Sequence, residues 1–306
     1  MPRFSRFSRF ASPVDTSRYG EYRVPCDADD PHPRHRFGGR ITDDGRSGFT
    51  PRAGRYHLYA GWPCPWSQRV TITRILAGLT DVVTMSYVDN ERDGRGWAFR
   101  QRHGPDPVNG FTLLREVYEA TEEGFDGHVS VPVLWDRATA SVVSNDFRTI
   151  EIDLATRFRH LADPVVDVYP ERHRAEIDEL DAWIGPAVNH GVYAATRPGP
   201  AGKRARAALL AAFAELDRRL ATRRHLVGST LTEADIRLWV TLVRYDVGPN
   251  AGRTIGPGLH EFPNLWSYAR DLYTIPAFRD TTDFASFTAP GASPPDWHAP
   301  SARLPI

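Results

Sequence analysis

The pattern of apolar and polar positions sharpens at Arg55. Upstream, residues 1–54 mix Arg, Asp, Pro, Gly and His with little periodicity and read as an irregular leader. Tyr56-His57-Leu58-Tyr59-Ala60 is short and β-prone, a strand, and Gly61-Trp62-Pro63 is a turn. Val70, Ile72, Ile75, Leu76 and Leu79 recur at roughly helical spacing and predict a helix over 67–79, with Pro65 where a first helical turn tolerates it. Residues 82–88 predict a second strand. A mostly polar, Gly-rich insertion over 89–128 holds Trp97, Phe99 and a short helix near 111–119. Residues 129–135 form a third strand interrupted by Pro132, residues 140–143 a fourth, and 145–158 a helix. After Asp163-Pro164 the period becomes helical throughout, over 172–188, 201–221, 232–245 and 263–273, with Leu209, Phe213, Leu216 and Leu220 as one apolar stripe. Thr232, with Asp235 three residues on, predicts an N-cap. From Thr281 onward Pro, Ser and Ala dominate, and the tail over 281–306 reads as irregular.

The order strand, helix, strand, insertion, strand, strand, helix is that of a thioredoxin-like domain. The expected fold class is therefore α/β plus all-α, with a thioredoxin-like thiol-binding domain over 55–160 and an all-helical substrate domain over 164–280. The pair Val131-Pro132 fits this order. A proline inside a strand loses a ladder hydrogen bond and belongs at an edge or in an unusual conformation. In thioredoxin-like domains the proline here is cis, and the residue before it offers its backbone to the thiol ligand's peptide. An ordinary edge-strand proline is the other reading.

Composition narrows the functional classes. The 306 residues carry 38 basic and 38 acidic side chains, so no net charge favours nonspecific nucleic-acid binding. No stretch approaches the roughly 20 apolar residues of a membrane helix, and the basic N-terminus lacks the apolar core of a secretory signal. Cys26 and Cys64 make no disulfide framework, which points to a reducing cytoplasm. Lys203 is the only lysine among the basic residues, a sign of GC-rich coding. The stretch from Cys26 to His35 matches no zinc spacing and reads as a solvated loop, so no metal is expected. No phosphate-cradling or His-Glu-x-x-His motif occurs, and no tightly bound cofactor is expected.

The most informative stretch is Trp62-Pro63-Cys64-Pro65-Trp66-Ser67-Gln68-Arg69. It places a cysteine at the start of a helix that follows a strand, where helix amides and the macrodipole favour a thiolate. A dithiol oxidoreductase carries a second cysteine where Ser67 stands. A hydroxyl cannot resolve a mixed disulfide, so an outside thiol must do so. A buried structural cysteine is the competing reading.

With these residues in view, the chain from about Arg55 to about Ala277 resembles the glutathione transferase superfamily, and within it the glutathionyl-hydroquinone reductases of the Xi class. The resemblance rests on Tyr56-His57-Leu58-Tyr59, Cys64-Pro65-Trp66 with Arg69, Gly96-Trp97 with Phe99, and Val131-Pro132-Val133-Leu134-Trp135-Asp136 with Val143-Ser144-Asn145. It continues through Asn189, Gly191-Val192-Tyr193, Leu231-Thr232-Glu233-Ala234-Asp235-Ile236-Arg237-Leu238, Thr241-Leu242-Val243-Arg244, Asp246, Asn264-Leu265 and Arg270-Asp271-Leu272-Tyr273.

The resemblance implies a reductase in which Cys64 attacks the sulfur of a glutathionyl-hydroquinone and a second thiol releases the enzyme. It implies that Tyr193 hydrogen-bonds the aromatic substrate's oxygen and that Trp97 packs on the thiol. It also implies a homodimer acting on a small-molecule thiol and an aromatic, quinone-like conjugate. His128, Val131, Pro132, Asp146 and Phe147 fall on the family's thiol-binding positions. Three of these depart from the family: His128 stands for an Arg, and Asp146-Phe147 for a Glu-Ser pair. Those departures keep two cosubstrates in view, glutathione and a sugar-bearing thiol such as mycothiol. They also keep two other functions open: another transferase-type reaction (thioether or ether cleavage, dehalogenation), or a non-catalytic binding protein on the same fold.

Overall fold

The computed structural model describes residues 9–23 and 35–298. They divide into two compact units, one holding the residues up to Val70 with Gly78–Asp163, the other Thr71–Ala77 with those from Pro164 onward. Cys26 and most of the stretch that runs from it to His35 lie outside the described residues, as does the tail beyond His298.

In the first unit a short helix, α1 (Thr16–Tyr19), is N-capped by Asp15, whose carboxylate accepts from the Arg18 N–H at 3.0 Å. Strand β1 (Tyr56–Ala60) is buried along its whole length, as a central strand must be. It leads into helix α2 (Pro65–Leu76), the crossover that lets β1 pair in parallel with β2 (Thr84–Tyr87). The helix starts two residues before the expected 67 and stops at Leu76 rather than Leu79. Gly78 explains the stop: it has φ +72°, and a Cβ there would strike the Asp163 carbonyl.

The segment over 89–128 is not a polar excursion. It carries helix α3 (Leu114–Thr121), and its Trp97, Phe99, Leu114, Val117, Tyr118 and Phe125 pack with Tyr59, Val131, Val133, Trp135 and Val142 in one apolar cluster. Strand β3 (Val133–Asp136) begins after the Val131-Pro132 bond, which is cis, so Pro132 precedes the ladder instead of interrupting it. Strand β4 (Ser141–Ser144) completes a sheet of order β2-β1-β3-β4, with β3 antiparallel to both its neighbours.

The open edge of β4 is covered by the preceding chain. The Gly39 N–H donates to the Val143 carbonyl and the Asn145 N–H to the Phe37 carbonyl, at 2.9 and 3.0 Å. Arg40 ion-pairs with Asp153 at 2.6 Å, and Ile41 is fully buried. From His35 on, the expected leader is therefore docked chain. Helix α4 (Phe147–Arg157) closes the unit.

The second unit is helical: α5 (Arg174–Ile184), α6 (Gly191–Ala195), α7 (Gly199–Leu220), α8 (Glu233–Tyr245), α9 (Pro263–Tyr273) and α10 (Pro276–Arg279). The helix expected over 172–188 ends at Ile184 and opens into a wider turn at Gly185–Asn189 around Pro186, which has no N–H to continue the ladder. Helix α8 is buried on every side, so its ionic residues need partners. Arg237 pairs with Asp181 and with Glu233. Thr232 is the N-cap, and Asp235 reaches back to its N–H at 2.8 Å while also accepting the Tyr268 hydroxyl at 2.7 Å. The tail is irregular in backbone but not loose up to His298. Trp297 is buried edge-on to Trp239 and Trp266, 5.3 and 4.9 Å between ring centroids. No helix among the described residues is long and apolar enough to cross a membrane.

Candidate active site

Cys64 sits between β1 and α2, as the strand-turn-helix pattern predicted. Its carbonyl accepts the first helical bond, from the Gln68 N–H at 3.1 Å, so Cys64 is the N-cap residue of α2. Pro65 occupies the first helical position and has no N–H to leave unpaired. The amides nearest to an N-cap side chain are then those of Trp66 and Ser67. The thiol is half-buried and donates to the Val131 carbonyl at 3.3 Å, immediately before the cis Pro132. The structure thus brings together three of the residues singled out from sequence: Cys64, Val131 and Pro132.

Ser67 does not face a ligand. It is 1% exposed, and its Oγ accepts the buried Gly61 N–H at 3.1 Å, which ties the first turn of α2 back to the start of the Cys64 loop. Arg69 is likewise committed. It ion-pairs with Glu151 of α4 at 2.7 Å, both side chains 1% exposed, so its charge is answered there.

Two flanks frame the loop. On one side Trp97 is 5% exposed, and a Cβ placed on Gly61 would lie 3.4 Å from its ring and 3.2 Å from Val131 Cγ2. On the other side Phe147, the first residue of α4, stacks on Trp66 at 4.6 Å and 18°, with the Arg69 guanidinium 4.9 Å from its centroid and His35 edge-on at 5.8 Å. Asp146 is the N-cap of α4; its two oxygens accept the Arg148 N–H at 3.0 Å and the Thr149 hydroxyl at 2.9 Å. His128 is half-buried in the loop ahead of the cis bond. The loop is held by Tyr118, whose hydroxyl donates to the Ser130 carbonyl at 2.7 Å; burial pushes that phenol up to about 12, so it remains a donor. Tyr193 stands in the other unit, on α6, 48% exposed.

Sequence reasoning missed the anchoring roles of Ser67 and Tyr118 and the ring contacts of Trp66, His35 and Tyr22. The tyrosine at 22 lies 6.5 Å from the Trp97 ring and is separated from it by 75 positions, which no local pattern bridges.

A thiol-bearing thioredoxin-like unit joined in one chain to an all-helical one is the architecture of glutathione transferases. The family model for the glutathione S-transferase C-terminal domain matches residues 192–271. Glutathionyl-hydroquinone reductase YqjG of Escherichia coli (strain K12) is 36% identical over 248 residues, 78% of this chain and 75% of the relative. A Xi-class glutathione transferase structure from Natrialba magadii superposes with a TM-score of 0.82 at 35% identity, covering 87% of this chain and 90% of that one. The glutathione-bound structure of YqjG superposes with a TM-score of 0.80 at 31% identity, covering 87% and 96%. The chain belongs to the glutathionyl-hydroquinone reductase family, the Xi-class branch of the glutathione transferases.

Proposed function

We propose that this protein reduces glutathionyl-hydroquinones, with Cys64 as the nucleophile. The sulfur of Cys64 attacks the thioether sulfur of the conjugate, whose ring carbon has taken up a proton. The carbon–sulfur bond breaks, its electron pair restores the aromatic hydroquinone, and a Cys64–glutathione disulfide forms. A second thiol attacks that disulfide, leaves as glutathione disulfide and frees the sulfur of Cys64. The net change is conjugate plus thiol to hydroquinone plus disulfide: the ring carbon is reduced and two sulfurs are oxidised.

One observation carries the reading. Cys64 caps α2 beside the Val131 carbonyl, while the only side chain at the position of a resolving thiol, Ser67, is locked onto Gly61. Ser67 cannot resolve a mixed disulfide, so the proposal gives that step to an external thiol. The resemblance assigns Tyr193 the role of donor to the hydroquinone oxygen; its half-exposed phenol suits a binding surface. Trp97, His128, Val131, Pro132, Asp146 and Phe147 are proposed to hold the thiol, which is glutathione or, as the competitor, mycothiol. A homodimer in the cytoplasm follows from the family resemblance and from the reducing environment the free thiol needs.

The test is turnover of a glutathionyl-menadiol conjugate with glutathione, followed by chromatography of the released hydroquinone. The wild type releases hydroquinone, Cys64→Ala does not, and Tyr193→Phe slows release. Equal release by Cys64→Ala would end this reading. Absence of turnover by the wild type, with thiol binding intact, would favour the binding-protein alternative.

A further inference from the structure

Four arginines of the 89–128 segment lie close together in sequence, and three are occupied; Arg102 ion-pairs with Glu91 at 3.0 Å. Arg95 ion-pairs with Asp93 at 2.6 Å and donates to Ser12 and to the Pro13 carbonyl, at 2.7 and 3.0 Å. Arg100 donates to the carbonyls of Ser12 and Glu91 at 3.0 and 2.9 Å. These contacts fix the chain around α1 to the segment that carries Trp97.

Arg92 is different. Its guanidinium carbon lies 4.1 Å from the centroid of the Tyr22 ring and 4.1 Å from that of Trp97. Among the described residues its N–H donors meet no carboxylate and no hydrogen-bond acceptor. A guanidinium packed against two rings has its position restricted while keeping N–H donors that can take a carboxylate through two parallel bonds.

Its position says which carboxylate. The Cys64 loop leaves Gly61 against Trp97 and reaches Trp66 against Phe147, at the start of α4. A short peptide thiol with its sulfur at Cys64 directs its ends toward these two flanks. Asp146, an acid, stands at the α4 flank and suits an amino group. Arg92 stands at the Trp97 flank and suits an acid. We infer that Arg92 is a specificity-determining residue that reads the carboxylate at the end of the thiol opposite its γ-glutamyl group. The cosubstrate is then an anionic peptide thiol of glutathione's kind rather than a neutral sugar thiol. The inference rests on the proposal that Cys64 and Trp97 mark the thiol site.

Two probes test it on the full chain: glutathione and its glycyl monoethyl ester, which lacks only that carboxylate's charge. Dissociation constants from titration calorimetry are compared with KM for each as the resolving thiol at saturating conjugate. The wild type is expected to bind glutathione about tenfold more tightly than the ester, with the same ratio in KM. Arg92→Gln brings the ratio close to one, and Arg92→Lys keeps most of it. If Arg92 merely pins Tyr22 on Trp97, its loss weakens acid and ester alike and the ratio stands, which overturns the inference. So does a wild type that treats acid and ester equally, or one that binds mycothiol as tightly as glutathione. Turnover reads the Cys64 proposal and the binding ratio reads Arg92, so the two can fail separately. The wild-type ratio holds its meaning even if a variant fails to fold.

Discussion

Replacing Arg69 with methionine separates the stability of the first unit from the chemistry of Cys64, five residues upstream. Arg69 and Glu151 are each 1% exposed, and the guanidinium reaches one carboxylate oxygen through Nη2 at 2.7 Å and Nε at 3.1 Å. Methionine keeps the apolar stem but leaves the Glu151 carboxylate buried without its arginine. Breaking a buried pair in this way costs about 3–5 kcal/mol, because the remaining buried charge loses its countercharge. With a urea slope of about 3 kcal/mol per molar, the unfolding midpoint falls by about 1–1.7 M. The double variant Arg69→Met/Glu151→Leu removes both charges and recovers most of that loss, since an apolar pair of similar volume is near neutral or better. Urea titration by circular dichroism gives the stabilities, and the rate of Cys64 alkylation by iodoacetamide without denaturant gives the reactivity. The Arg69 charge is answered by Glu151, so alkylation of the folded variant stays within about twofold of the wild type. A single variant that loses under about 1 kcal/mol would refute the buried-pair argument. A tenfold drop in alkylation with stability intact would show that Arg69 acts on the sulfur after all.

Ser67→Ala strips the buried Gly61 N–H of its acceptor and should lower stability by about 1–3 kcal/mol in urea titration. Asp93, held far below the ordinary carboxylate range first by the Arg95 hydrogen bonds, also accepts the Asp15 N–H at 3.1 Å. A depressed carboxyl contributes fully above its unfolded value near 4 and loses that contribution only as pH falls through its folded value. Residues 9–23 should therefore resist proteolysis at pH 4 in the wild type, whereas Asp93→Asn should be cut faster even at pH 7. Trp297→Ala opens a hole among Trp239, Trp266 and Tyr273 and should cost about 3–5 kcal/mol, read from unfolding of the helical unit.

Much of the fold was legible because its signals are local. The Tyr56–Ala60 strand, the proline-flanked helix start at Cys64 and the Thr232/Asp235 cap each lie within a few residues of one another. The 89–128 segment misled because its buried residues come in short runs separated by glycines and charges. Trp97, Phe99 and Val117 share a core through tertiary packing, not through a period. The tail misled for a related reason. Pro, Ser and Ala dominate its composition, yet Phe284, Phe287 and Trp297 pack it against the helical unit. At the candidate site, sequence supplied the residues but not their commitments. It placed Ser67 and Arg69 beside Cys64, but only the folded chain turns the hydroxyl to Gly61 and the guanidinium to Glu151. Phe147 was readable as a departure from the family pattern; its stack on Trp66 was not.

The account depends most on where the sulfur of the conjugate goes. The direct measurement is mass spectrometry of the intact protein and of the peptide holding Cys64, taken after one equivalent of glutathionyl-menadiol and again after added thiol. The account predicts one glutathione on Cys64 in step with one hydroquinone released, lost again as glutathione disulfide when the second thiol arrives. Hydroquinone release with Cys64 unmodified, or with glutathione on another residue, would contradict it.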